Sequence, residues 1–218
     1  MSSRIRASLL LPAMAGWLLL SCPALAAVGC TLNNPDRDII RIFPAATNYR
    51  TEFISIQDRG GAILAAKIEK KLGDRLDPHY ESLDVPYAYY TVLQGGKTIG
   101  YVHGVNQKGT YGGLQLILAT DPQGVIRNFY YQKISSPEAR LFRDRHFTSQ
   151  FLGLTLADFF QDRAAAIIRD PSTASSADFA ATMRGIMKNL ILLDEFKLQH
   201  IHDQKAKTSQ PATGGRHE

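Results

Sequence analysis

The sequence predicts an α+β domain, in which a small antiparallel sheet run as a meander is packed with helices. Three observations predict it. Between Tyr87 and Gln132, runs rich in aromatic and β-branched residues are separated by short glycine-containing turns, the pattern of strands joined by hairpins. Before and after that block, apolar residues recur every three or four positions, which is helical spacing. Hydrophobic residues make up 44% of the chain, a globular composition.

The first element is an export signal. Arg4 and Arg6 precede an apolar run from Ala7 to Leu20, and Ala24-Leu25-Ala26 places small residues at the two positions a signal peptidase reads. Pro12 and Gly16 interrupt the run, and a comfortable membrane span needs about 20 apolar residues. An uncleaved anchor is the alternative. Ala27-Val28-Gly29-Cys30 also resembles a bacterial lipobox, whose cysteine is lipidated and becomes the first residue. Two mature forms follow: a free protein beginning at Ala27, or one tethered to a membrane surface through a lipidated Cys30. Either is exported, to a periplasm or to the outer face of a membrane.

Cysteine and charge narrow the function. Of the two cysteines, Cys22 lies in the leader, so Cys30 alone remains and no internal disulfide is expected. No cysteine cluster offers a zinc, iron–sulfur or c-type haem site. Loss of residues 1–26, with Arg4 and Arg6, lowers the formal charge from +5 to +3. That charge, with no dense basic stripe, excludes nucleic acid as the expected partner. The chain divides into a signal peptide (1–26), an N-terminal extension packing on the domain (27–86), the domain itself (87–200) and a disordered polar tail (201–218).

Within the extension, Asn33-Asn34-Pro35-Asp36 starts a helix that carries Ile39, Ile40, Ile42 and Phe43 and stops at Pro44. Phe53 to Ile56 reads as a strand, and Ala62 to Leu72 as a helix closed by Gly73. Asp77 to Pro86 is a polar connection. The meander then comprises Tyr87 to Leu93, Thr98 to Val105, Gly113 to Thr120 and Val125 to Gln132, with turns at Gly95-Gly96 and Asp121-Pro122-Gln123-Gly124. Ser136-Pro137-Glu138 opens a helix running through Arg145, Thr155 caps a short helix from Leu156 to Phe160, and Ser176 begins a longer one. Its stripe of Phe179, Met183, Ile186, Met187, Leu190 and Leu193 reads as core.

Two segments carry candidate chemistry. In Gly109-Thr110-Tyr111-Gly112-Gly113, adjacent glycines let a ligand approach the backbone, and Tyr111 offers a ring to stack; a plain hairpin corner is the competing reading. In Asp170-Pro171-Ser172-Thr173-Ala174-Ser175-Ser176, hydroxyls and unpaired N–H groups at a helix start suit a phosphate; an ordinary Ser/Thr cap competes. Arg140, Arg143, Arg145 and His146 read as a solvated face, and His200-Ile201-His202 as a surface pair without further metal ligands. No Ser-His-Asp set, P-loop or Rossmann fingerprint is visible.

The order of these motifs resembles the FMN-binding domain of the sodium-pumping NADH:quinone reductase C subunit and the Rnf complex G subunit. The resemblance rests on Thr98 to Val105, Thr110-Tyr111-Gly112-Gly113, Leu114 to Thr120, Asp121 to Gly124, Val125 to Gln132, and Phe147-Thr148-Ser149-Gln150-Phe151-Leu152-Gly153. It covers about Tyr87 to Leu193. The family's flavin motif, Ser-Gly-Ala-Thr-x-Ser-Ser, aligns Thr173 with the threonine that some members esterify to FMN, and Ser175-Ser176 with its final serines. The resemblance thus implies FMN held by Tyr111, Gly112, Gly113, Ser172, Thr173, Ser175 and Ser176. It also implies electron transfer beside membrane redox proteins, as an electron-transfer or accessory domain rather than an autonomous enzyme, with no catalytic acid–base pair.

This chain departs from the family at Asp170-Pro171-Ser172, which stands where the family has Ser-Gly-Ala. Pro171 has no N–H to give a phosphate, and Asp170 repels one. Ser135-Ser136-Pro137-Glu138-Ala139-Arg140 likewise replaces the family's Glu-Thr-Pro-Gly-Leu-Gly. The expectation is therefore non-covalent FMN rather than an ester at Thr173. The alternative is a flavin-less accessory module that keeps the fold and docks a partner protein or small ligand.

Overall fold

A computed structural model describes residues 30–198. The signal peptide, the Ala27 terminus, the His200–His202 pair and the polar tail lie outside the described residues. Chain order runs α1 (Pro35–Ile42), β1 (Asn48–Ile54), α2 (Ile56–Arg59), α3 (Gly61–Leu72), then β2 (Tyr87–Gln94), β3 (Lys97–Gly109), β4 (Gly112–Thr120) and β5 (Ile126–Ile134). The last third holds α4 (Ala139–Arg143), α5 (Arg145–Thr148), a 3-10 turn (Ser149–Phe151), α6 (Leu156–Phe160), α7 (Arg163–Ile167) and α8 (Ser176–Leu193). It ends in a π-helical turn, Asp194–Leu198.

The α+β meander is present as one five-stranded antiparallel sheet in the order β1-β2-β3-β4-β5. Each strand pairs with its sequence neighbour; β2 to β5 do so through short hairpins, and β1 joins β2 across α2 and α3. Alternation along the strands sorts side chains to two faces. On one face Tyr89, Val105, Leu114, Leu116 and Leu118 pack against α8 and α3. On the other, Ala88, Tyr90, Val102, Ile117 and Ala119 are covered by Cys30, Leu32 and Ile39 from the N-terminal segment and α1. The sheet is therefore the middle of three layers.

The long helix owes its position to its apolar stripe. Ile186, Leu190 and Leu193 are fully buried, and Phe179, Met183 and Met187 pack at the edge of the same core. Burying each such aliphatic side chain contributes about 1.5–3 kcal/mol relative to exposure. Gly185 lets α8 lie close against Leu116, where a side chain would collide.

Four boundaries differ from expectation. The strand expected at Phe53–Ile56 runs instead from Asn48 to Ile54, because Ser55 caps α2 by accepting from Asp58 N–H at 3.0 Å. The helix expected from Ser136 to Arg145 is split at Asp144, whose carboxylate caps α5 by accepting from His146 N–H at 2.7 Å. β3 runs four residues past Val105, carried by pairing with β4 as far as Gly109↔Gly112. Helix α7 has no N-cap signal to read, since its cap, Asp162, adopts φ 57° and makes no side-chain cap bond.

The extension is an integral part of the domain. Its β1 completes the sheet edge, and its Glu81 reaches the core beneath α8. No helix among the described residues is long and apolar enough to cross a membrane.

Candidate anion and flavin site

The hairpin between β3 and β4 closes in a tight corner. Gly112 has φ 132°, a conformation that disfavours any side chain, and a Cβ there would sit 3.1 Å from Ser135 Cβ. A Cβ on Gly109 would lie 2.9 Å from Asp178 Oδ1, so the corner and the first turn of α8 are nearly in contact. Asp178 is fully buried and ties the two together by accepting from Thr110 N–H at 2.7 Å. Its other oxygen, Oδ2, is buried without a hydrogen-bond partner. Tyr111 projects at the tip, 56% exposed, and the space a side chain on Gly113 would take is open.

Three segments that the sequence read separately, Gly109–Gly113, Ser135–Arg140 and Asp170–Ser176, thus meet at one end of the sheet, joined by Asp178, which the sequence did not single out. The third segment already holds an anion. Glu138 Oε1 accepts from Thr173 N–H at 3.0 Å and from Thr173 Oγ1 at 2.5 Å, and Oε2 accepts from Ala174 N–H at 3.0 Å. These bonds, first the Thr173 hydroxyl and then the two amides, hold the Glu138 carboxyl down at about 2. These donors, a hydroxyl and two amides in the loop just before the N-cap of α8, are groups that can also serve a phosphate. Glu138 itself is solvent-accessible.

The remaining predicted residues divide. Ser172 is occupied by its neighbour, donating from N at 2.8 Å and from Oγ at 2.6 Å to Asp170 Oδ1. Ser175 is buried and is the N-cap residue of α8. Ser176 is exposed. Asp170 and Pro171, with Leu141, Phe147, Gln150 and Arg169, line an open groove of about 330 Å³ on the outer side of the loop. Arg140, Arg143, Arg145 and His146 are exposed, as a solvated face should be.

Sequence reasoning missed a second charged cluster inside the core. Lys188 on α8 is fully buried and donates to Glu81, which is 2% exposed, and to the carbonyl of Asn106 at 2.7 Å. Arg184, one turn earlier, donates to Glu81 Oε1 at 2.8 Å, to Gln107 Oε1 at 2.9 Å and to Asp74 Oδ2 at 2.7 Å. Burial lowers the Lys188 ammonium to about 8, against the pull of Glu81. Nearby His103 stacks on Tyr89 with centroids 4.0 Å apart, and burial lowers its imidazole to about 3. The available signal was Lys188-Asn189 set inside an otherwise apolar helix face. Nothing local pointed to Glu81, which is 107 residues away. Among the described residues no group of three or more acids, histidines or cysteines could hold a metal.

No family model and no curated protein matches this chain.

Proposed function

We propose that this protein is an exported domain of the FMN-binding type that holds FMN non-covalently and serves electron transfer in a membrane-associated redox chain. The observation that carries the reading is the anion cradle at the start of α8, where Thr173 and Ala174 already bind a carboxylate beside the glycine corner of Tyr111. In the free protein Glu138 takes the place of the phosphate. On binding, a phosphate would accept the Thr173 and Ala174 donors and Glu138 would swing to solvent. Tyr111 would cover one face of the ring, and Gly113 leaves room for its edge. The bound flavin would supply one- and two-electron exchange, and the chain would supply position and polarity.

Thr173 Oγ1 donates to Glu138, and Asp170 and Pro171 stand beside it, so an ester at Thr173 is not part of the proposal. Plain cleavage after Ala26 is preferred to lipidation. Cys30 is only 2% exposed, packed against Gly104, and burial pushes its thiol up to about 12. A lipidated Cys30 would have to leave that position.

The occupied cradle also favours a second reading, in which the fold has lost flavin and the Glu138 bonds are permanent. Titrating the purified protein into FMN separates the two. The first reading expects quenched flavin fluorescence, colour released on denaturation, and loss of both in Gly112→Val. A colourless protein with no quenching supports the flavin-less accessory module.

A further inference from the structure

β1 is paired on one side only, with β2, and forms an edge of the sheet. Five of its seven residues are exposed, among them Phe53 at 59%. Natural edges are usually blunted by proline, bulges, covering segments or charged side chains, and of these β1 carries only the charges of Arg50 and Glu52. β1 has no proline, and its pairing with β2 is regular over all seven residues.

Its side chains are arranged symmetrically about Thr51. Tyr49, Thr51 and Phe53 lie on the face of α1, and Arg50 and Glu52 on the face of α8. Arg50 is exposed, and Glu52 accepts from Lys197 at 2.5 Å. Beside the first half of the strand, Asp36, Ile39, Ile40, Ala46 and Tyr49 line a groove of about 220 Å³. Tyr49 forms a fixed wall, since its hydroxyl donates to Asp36 Oδ1 at 2.7 Å and its ring meets Tyr90 edge-on.

We propose that β1 pairs antiparallel with β1 of a second copy about a two-fold axis through Thr51, joining two five-stranded sheets into one. The register opposes Arg50 to Glu52 of the second copy and Tyr49 to Phe53 of the second copy, each twice. It sets the exposed Phe53 of one copy against the groove beside Tyr49 of the other. An isologous interface requires this self-complementarity, and a foreign strand would have no reason to match it. Opposite charges and aromatic pairs across strands are the contacts that stabilise antiparallel pairing. The proposal is independent of the flavin reading.

The test is sedimentation of the purified chain over a concentration series, with three variants at exposed positions. The wild type is expected to show a monomer–dimer equilibrium. Arg50→Glu opposes like charges twice and is expected to weaken the dimer at least about tenfold. Combining it with Glu52→Arg restores at least part of that loss. Thr51→Cys is expected to give a covalent dimer on mild oxidation, with buried Cys30 uninvolved. A monomer at every concentration overturns the proposal. So does a dimer that Arg50→Glu leaves unchanged and that Thr51→Cys fails to cross-link.

Discussion

Two carboxylates in this molecule are held by similar numbers of donors, and burial and the charge of those donors set them apart. Glu81 sits beneath α8 at 2% exposure, bonded to Lys188, Arg184 and the Asp77 amide. Glu138 sits at the surface on Thr173 and Ala174. Inside the core, a charge that loses its partner has no water to turn to, so the Glu81 cluster is structural. At the surface, water or a competing anion can replace either partner at small cost, so the Glu138 site can exchange.

The largest effect expected from this contrast is that of Glu81→Ala. It leaves Lys188 buried and unpaired, a situation that costs about 3–5 kcal/mol. Urea unfolding should show it, and Glu81→Leu with Lys188→Met should recover much of the loss. A single-variant cost under about 1 kcal/mol would mean that the cluster is more hydrated than its burial implies.

Acid should act on the core before the Glu138 site. His103 has a folded value of about 3 against 6.5 when exposed, so below pH 6.5 the unfolded chain takes up a proton that the native chain refuses. Stability should then fall with falling pH, by at most about 1.4 kcal/mol per unit. Glu138, lowered from 4.5 to about 2, adds stability that is present above 4.5 and lost only as pH falls towards 2. Melting temperatures between pH 6.5 and 4.5 therefore isolate the histidine, and His103→Gln should flatten that limb. The smallest expected effect on stability is that of Glu138→Ala, since solvent around the carboxyl screens its bonds to Thr173 and Ala174.

The two regions also differ in how far the sequence foretold them. The meander from β2 to β5 was legible because each strand pairs with its neighbour, and turn residues such as Gly95-Gly96 and Asp121–Gly124 mark its reversals. Helices α6 and α8 were legible from Thr155, Ser176 and the apolar spacing. β1 was misplaced because its seven residues include five exposed ones, so neither alternation nor an apolar run marks it. At the candidate site, Tyr111, Gly112 and Thr173 could be named from local pattern. Their juxtaposition could not, since it depends on Asp178 bonding Thr110 across 68 residues and Glu138 bonding Thr173 across 35. Lys188 was not singled out, and only the fold supplies its counter-ion, Glu81.

Comparing wild type and Glu138→Ala by fluorescence titration with FMN, with inorganic phosphate as competitor, tests the Glu138 site most directly. Emptying the cradle of its own carboxylate should tighten FMN binding at least about tenfold, or about 1.4 kcal/mol, and phosphate should compete in both proteins. Equal affinity in the two proteins, or no binding in either, would contradict the claim that Glu138 holds the place of a ligand phosphate.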